Sequence, residues 1–214
     1  TYMRFIKPVD GNLMTGAAVV DSDMSTFYVE DVNSIEYVTV NFCVNESGLI
    51  NDIKLLQKMT TYKNEMALEK ITNYLKGFQY NSDSGMTNNC IDFTFLFINK
   101  KYKNSVLDES DYSKCTEFKI GKFKYKDVRF LDARLHRNKK IQREDSNDLK
   151  AKFKITWNNP CEYDIQFLKV KRKENQYLIG AIMKTKIIGL LSNSYMYKTV
   201  FKGVTIIGEL ERVK

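Results

Sequence analysis

Proline is nearly absent, at two in 214 residues, and histidine and tryptophan occur once each. So little proline, against thirteen tyrosines and thirteen phenylalanines, excludes a Pro-rich spacer or a disordered chain and points to a β-rich globular protein. The single histidine, His136, confines any histidine-based catalysis to one position, and its neighbours Arg134 and Arg137 suit an exposed strand end better than a triad. No apolar run reaches the roughly 18 residues needed to cross a bilayer, so no transmembrane segment is expected. The chain has no GxGxxG, no phosphate-binding loop, no G-x-S-x-G and no HExxH, the motifs that would announce nucleotide, acyl-transfer or zinc-protease chemistry. Its cysteines lack C-x-x-C spacing, which speaks against a zinc site. Carboxylates are plentiful, but "VEDV", "DES" and "REDSND" read as solvated loop clusters rather than acid/base pairs. No enzyme activity, no cofactor and no metal is expected.

Charge is divided unevenly. Residues 1–114 hold 11 Lys and Arg against 15 Asp and Glu, net −4, and residues 115–214 hold 23 against 11, net +12. A basic half of this kind suits either a polyanion or lysine-rich solvated strands. "KIGKFKYKD" interleaves lysines with Phe123 and Tyr125, but on a strand the two aromatics share one face and Lys122 and Lys124 the other. Core filling therefore accounts for the pattern more simply than a nucleic-acid platform, and no nucleic acid is expected as a partner. "KVKRKENQ" reads as a charged hairpin tip. The sequence starts at Thr1 rather than at methionine, as a trimmed chain would.

Along the chain, "MRFIKPVDGNLMTGAAVV" carries turn signals at Pro8 to Gly11 and at Gly16, and "STFYVEDV" can form one strand. From Ser34 the pattern sharpens: Val38, Val40, Phe42 and Val44 alternate with Tyr37, Thr39, Asn41 and Cys43, the two-residue period of a half-buried strand. Asn45 to Gly48 reads as a hairpin loop, and a second strand covers about Ile50 to Gln57. In "NEMALEKITNYLKG", Ala67, Leu68, Ile71, Tyr74 and Leu75 fall on one helical face, with Glu65 in the first turn, Lys76 in the last and Gly77 behind it. Ile91, Phe93, Phe95 and Phe97 then alternate along a third strand. Residues 99–114 are polar and aperiodic and read as a linker. Beyond Cys115, seven or eight short strands are predicted, at about 117–125, 128–137, 149–157, 161–170, 177–187, 194–201 and 204–212. Closure into a barrel is the simplest way for them to hide their edges. The expected fold is α+β: a ββαβ domain within residues 1–100, a linker at 101–114, and an antiparallel all-β barrel over 115–214.

"VTVNFCVNESGLINDIKLLQ", "NEMALEKITNYLKGFQY" and "NNCIDFTFLFI" together resemble the C-terminal domain of TonB. Val38, Val40, Phe42, Val44, Gly48, Ile53, Leu55, Ala67, Leu68 and the alternation from Ile91 to Phe97 carry the likeness, over about residues 35–99. The family's membrane anchor and Pro-rich spacer are not in the sequence, and "GFQYNSDSG" stands where the family has W-x-P. The resemblance therefore implies the module's way of binding a partner strand and not energy transduction. In the second half, Cys115, Gly121, Phe123, Tyr125, Arg137, Asn138, Trp157, Cys161 and Tyr163 are similar to a small lipocalin-like barrel family of secreted Bacteroidota-type proteins. That likeness implies a fold and a compartment, not a chemistry.

In the TonB-like topology the first and third strands are antiparallel neighbours, which sets Cys43 beside Cys90. Cys115 and Cys161, each read at a strand start, form the second pair. Four cysteines, one possible pair in each half, favour an oxidising compartment, and the expected location is periplasmic, outer-membrane-associated or secreted. The expected function is non-enzymatic binding of an envelope protein by strand addition to Ile91–Ile98, with Asp92, Thr94 and Leu96 as the partner-binding edge. Such an edge is long, aromatic and nearly uncharged, so a partner or the first 35 residues should cover it. The alternative is a small apolar ligand in the barrel, lined by Phe123, Tyr125 and Trp157. Trp157 continues the inward set of Phe153 and Ile155.

Overall fold

The computed structural model describes residues 25–80, 85–147 and 149–213; the turn signals at Pro8 to Gly11 and Gly16 lie outside them. The chain divides into two compact units, Thr1–Asn99 and Lys100–Lys214. One holds a four-stranded sheet and the other a closed eight-stranded antiparallel barrel.

In the first unit β1 (Thr26–Val29), β2 (Ile35–Val44), β3 (Ile50–Leu55), the helix α1 (Glu65–Lys76) and β4 (Asn89–Asn99) follow one another, and the strands lie in the order β1-β4-β2-β3. Val38, Val40, Phe42 and Val44 of β2 and Phe93, Phe95 and Phe97 of β4 form the buried face, against which Ala67, Ile71 and Leu75 of α1 pack. The helix starts where the Asn64 side chain accepts a hydrogen bond from the Met66 amide at 3.0 Å, and it carries Glu65 and Lys76 at the ends its dipole favours. Gly48 closes the β2–β3 loop at φ +78°, and a Cβ there would lie 1.9 Å from the Tyr80 carbonyl oxygen, so the turn and the close approach both require glycine.

The other face of this sheet departs from the expected polar surface. Cross-strand neighbours on β2 and β4 are Tyr37 with Leu96, Thr39 with Thr94, Asn41 with Asp92 and Cys43 with Cys90. Tyr37, Thr39, Thr94 and Leu96 are buried, at 2%, 0%, 8% and 8% exposure. Residues 56–62 run back along β2: the Leu56 amide bonds to the Thr39 carbonyl, those of Thr61 and Tyr62 bond to the Tyr37 carbonyl, and Thr39 Oγ1 donates to the Met59 carbonyl. Only the Asn41, Asp92 and cysteine end of the face meets solvent.

In the second unit the residues read as a linker are folded. Two 3₁₀ turns, Lys100–Tyr102 and Glu109–Asp111, precede the short helix α2 (Tyr112–Glu117); Tyr102 is buried with its ring against Gly189, and Leu107 and Tyr112 pack on the barrel core. The barrel strands are β5 (Gly121–Tyr125), β6 (Arg134–Arg137), β7 (Ile141–Asp145), β8 (Lys150–Asn159), β9 (Glu162–Val170), β10 (Ile182–Leu190), β11 (Ser194–Phe201) and β12 (Val204–Val213). Each pairs with the next, and β12 pairs with β5 to close the ring, which leaves no edge. Two expectations are corrected here. The segment 128–137 yields only β6 behind a 3₁₀ turn, Val128–Phe130, and "IQRED", read as loop, is strand β7.

Candidate functional site

Cys115 lies on α2 rather than at a strand start. Its disulfide to Cys161, in the turn before β9, ties the helix to one end of the barrel. Phe118, just behind the helix, packs on Phe123 and Tyr195. Arg212 near the end of β12 donates from Nη2 to the Glu117 carbonyl and, at 2.8 Å, to that of Ile120. This end is therefore closed by α2, fixed on two sides.

Above the closure sits Arg137 of β6, fully buried at 0% exposure. Nε and Nη2 donate to Gln142 Oε1 of β7 at 2.9 and 2.8 Å; Nη1 donates to the Phe118 carbonyl and to Tyr195 Oη at 3.2 and 3.0 Å; Nη2 also reaches Tyr163 Oη at 3.4 Å. These bonds account for all five guanidinium N–H donors. The guanidinium also lies 5.1 Å from the Phe123 ring centre and 4.9 Å from that of Tyr163, in cation–π range. Burial works against its charge, but the phenol oxygens of Tyr163 and Tyr195 outweigh burial and hold its pKa above the usual arginine value. None of its hydrogen-bond partners is a carboxylate.

The next inward position on β7 is Glu144, between Leu135 of β6 and Ala151 of β8. Tyr125 donates its hydroxyl proton to Glu144 Oε2 at 3.1 Å. Burial raises the Glu144 carboxyl to about 7, against the lowering effects of the Tyr125 hydrogen bond and the Arg137 charge. Burial also pushes the phenols of Tyr125, Tyr195 and Tyr197 up. Tyr125, Glu144 and Tyr197 point into the barrel yet remain partly solvent-accessible. Tyr197 fills the space over Gly208, where a Cβ would lie 2.5 Å from its hydroxyl. Ile206, on the same inward face, is 43% exposed, at the end away from α2.

The expected ligand-lining residues are thus dispersed. Phe123 is at 0% exposure in the core, Tyr125 is bonded to Glu144, and Trp157 lies near the closed end, its ring 4.5 Å from that of Tyr163 and 4.8 Å beneath Lys119 Nζ. Trp157 Nε1 is buried with no hydrogen-bond partner. His136 is exposed on β6, opposite Lys122 and Arg143. Among the described residues no group of three His, Cys, Asp or Glu is placed to hold a metal, and no helix is long and apolar enough to cross a membrane.

In the sheet unit, Cys43 and Cys90 are bonded. The strand expected to be an edge is interior over its second half, because β1 lies parallel to it from Leu96 to Asn99. The Leu96 amide donates to the Ser25 carbonyl at 2.8 Å. Backbone groups alternate sides along a strand, so Thr94 and Asp92 turn theirs toward that same flank, where no described strand pairs with β4 between Asn89 and Phe95. The Asp92 side chain is exposed and accepts from Asn41 Nδ2 at 2.7 Å. Thr94 Oγ1, by contrast, is paired with Thr39 Oγ1 at 2.9 Å in a buried position, and Leu96 is buried beside Tyr37. The three expected edge residues are together on one face, but only Asp92 presents its side chain.

No protein-family model, no curated protein and no solved structure matches the chain.

Proposed function

We propose that the protein is an extracytoplasmic, non-enzymatic binding protein whose sheet unit takes up an extended segment of an envelope protein along the outer edge of β4. The observation that carries this reading is the stretch of β4 ahead of Leu96 that no described strand pairs, with the backbone groups of Asp92 and Thr94 directed to that flank. Main-chain pairing to such an edge supplies affinity without a preformed pocket. The opposite edge is unsuited to it: β3 carries Asp52 at φ +49° and a Lys54–Asp52 ion pair, devices that blunt an edge. The likeness of residues 35–99 to the TonB C-terminal domain supports the same mode, and two disulfides suit an oxidising compartment.

The test is site-specific photo-crosslinking from position 89, exposed at the start of β4, in cells, with Asp92→Pro added to the same chain as control. Proline removes the outward N–H donor while an edge position still tolerates it. One recurrent envelope protein, lost in the proline variant, is the expected result. A crosslink confined to residues 1–24 of the same chain would show that the edge is sealed internally and overturn the proposal.

A second reading, a small ligand within the barrel, is favoured by the accessible inward side chains Tyr125, Glu144 and Tyr197. Their polarity does not suit the purely apolar ligand expected from the sequence.

A further inference from the structure

We propose that the outer wall of the barrel binds a linear anionic polysaccharide along a row of basic side chains that crosses five strands. The inference lies within the barrel unit and is independent of strand addition.

The row follows from the register. Lys122 of β5 is the cross-strand neighbour of His136 of β6, His136 of Arg143 of β7, Arg143 of Lys152 of β8, and Lys152 of Lys169 of β9. All five side chains are exposed on the outer wall. At the spacing of neighbouring strands they extend over about 19 Å. Four carry a fixed positive charge, and His136 offers a ring N–H. Among the described residues no carboxylate lies within ion-pair distance of any of the five.

Like charges set directly opposite one another on a sheet destabilise it, so the row costs the fold stability rather than adding to it. It guards no edge, a common use of lysine on a strand, because the closed barrel has none. Solubility is served by mixed charge, and the wall carries that elsewhere: Lys124 pairs with Glu211 at 3.1 Å, and Lys150 with Asp145 and Lys186 with Glu162 at 2.8 Å. Other carboxylates of these strands and their turns are engaged too. Asp132 accepts from the Asn147 amide and Asp164 from the Asn158 side chain, and Asp127 is paired with Arg129. A line of cations left open among matched charges attracts a polyanion.

The class of polyanion follows from what surrounds the row. Among the described residues of β5 to β9, the phenylalanines, tyrosines and tryptophan all pack toward the core, so unpaired bases find no stacking platform outside. Leu168 is the one large apolar side chain exposed on these strands, and a flat membrane meets only part of a line that curves around a barrel. A flexible chain bearing sulfates or carboxylates can follow the whole row. The two disulfides suit an oxidising compartment outside the cytoplasm, where acidic polysaccharides are the linear polyanions at hand.

The experiment is fluorescence anisotropy of a labelled heparin oligosaccharide with the whole chain. Oligo-dT, phosphatidylglycerol-containing vesicles and neutral dextran serve as competitors. Affinity should fall about fiftyfold between about 50 and about 200 mM salt, the loss expected when four cations displace counterions from a linear polyanion. Arg143→Gln with Lys152→Gln removes the centre of the row and should weaken binding about tenfold at the lower salt, with the logarithmic salt slope about halved. Lys184→Gln with Lys198→Gln lowers the net charge equally but outside the row, and should change affinity less than about twofold. Since the first pair relieves repulsion between neighbours, its urea midpoint should equal or exceed the parent's, so that lost binding reports the site and not the fold. No heparin binding at the lower salt, a salt-insensitive affinity, equal losses in the two double variants, competition by neutral dextran, or tighter binding of oligo-dT or of the vesicles would each overturn the proposal. Asp92→Pro should bind heparin as the parent chain does, which keeps failure of strand addition separable from failure here.

Discussion

Gln142 Oε1 receives two hydrogen bonds from one guanidinium, those of Arg137 Nε and Nη2 at 2.9 and 2.8 Å, from directly across the β6–β7 pair. The fork is planar and fixed, and an ammonium cannot reproduce it. Arg137→Lys should therefore destabilise the barrel by about 3 kcal/mol, leaving Gln142, Tyr195 and the Phe118 carbonyl short of donors in a buried site. The urea midpoint reports it, and a loss below about 1 kcal/mol would show that the network contributes little.

Glu144 gives the stability a pH dependence. Its folded pKa, about 7, lies above its ordinary value of 4.5, so the folded state binds the proton more tightly than the unfolded chain does. Its contribution is fully present below about pH 4.5 and is lost as pH rises through 7. The whole shift corresponds to about 3 kcal/mol, and partial solvent access reduces the expected change to about 1–2 kcal/mol. Urea midpoints from pH 5 to 8 should fall with pH in the parent chain and flatten in Glu144→Gln, which gains at pH 8.

Replacing Cys115 and Cys161 together by serine releases a loop with a sequence separation of 46. The expected cost is about 4 kcal/mol by loop entropy, confined to the barrel unit. Titration of the unfolded, unreduced parent chain should find no free thiol, in agreement with two formed disulfides.

Gly48→Ala places a methyl group 1.9 Å from a backbone oxygen at a positive φ. The sheet unit should lose about 2–4 kcal/mol, with the barrel's own transition unchanged. Two resolved thermal transitions, only one of them shifted, is the expected calorimetric result.

What could be read from the sequence follows from where apolar period survives. Strands β2 and β4 alternate valine and phenylalanine and α1 shows a 3.6-residue stripe, so their residues announce their partners. Strand β7 does not: it points Gln142 and Glu144 inward and Arg143 and Asp145 outward, so both faces are polar and no period marks it as a strand. Glu144 was lost with it, as one more acid in a solvated loop. Arg137 was equally hidden, because an arginine in "LHRNKK" resembles a turn flank. Its signal was faint: alternation with Leu135 put it on the inward side. The burial of Thr94 and Leu96 is illegible for a different reason, since residues 56–62 return along β2 through backbone bonds and the hydroxyls of Thr39, Thr60 and Thr61, which leave no periodic pattern in the sequence.

The two disulfides join the first cysteine to the second and the third to the fourth, Cys43 to Cys90 and Cys115 to Cys161. A chain oxidised in the order in which it emerges would make each bond with the only unpaired thiol yet exposed. Neither ring encloses or interrupts the other, so native connectivity is also the kinetically simplest, and maturation requires an oxidant but no reshuffling of mispaired cysteines.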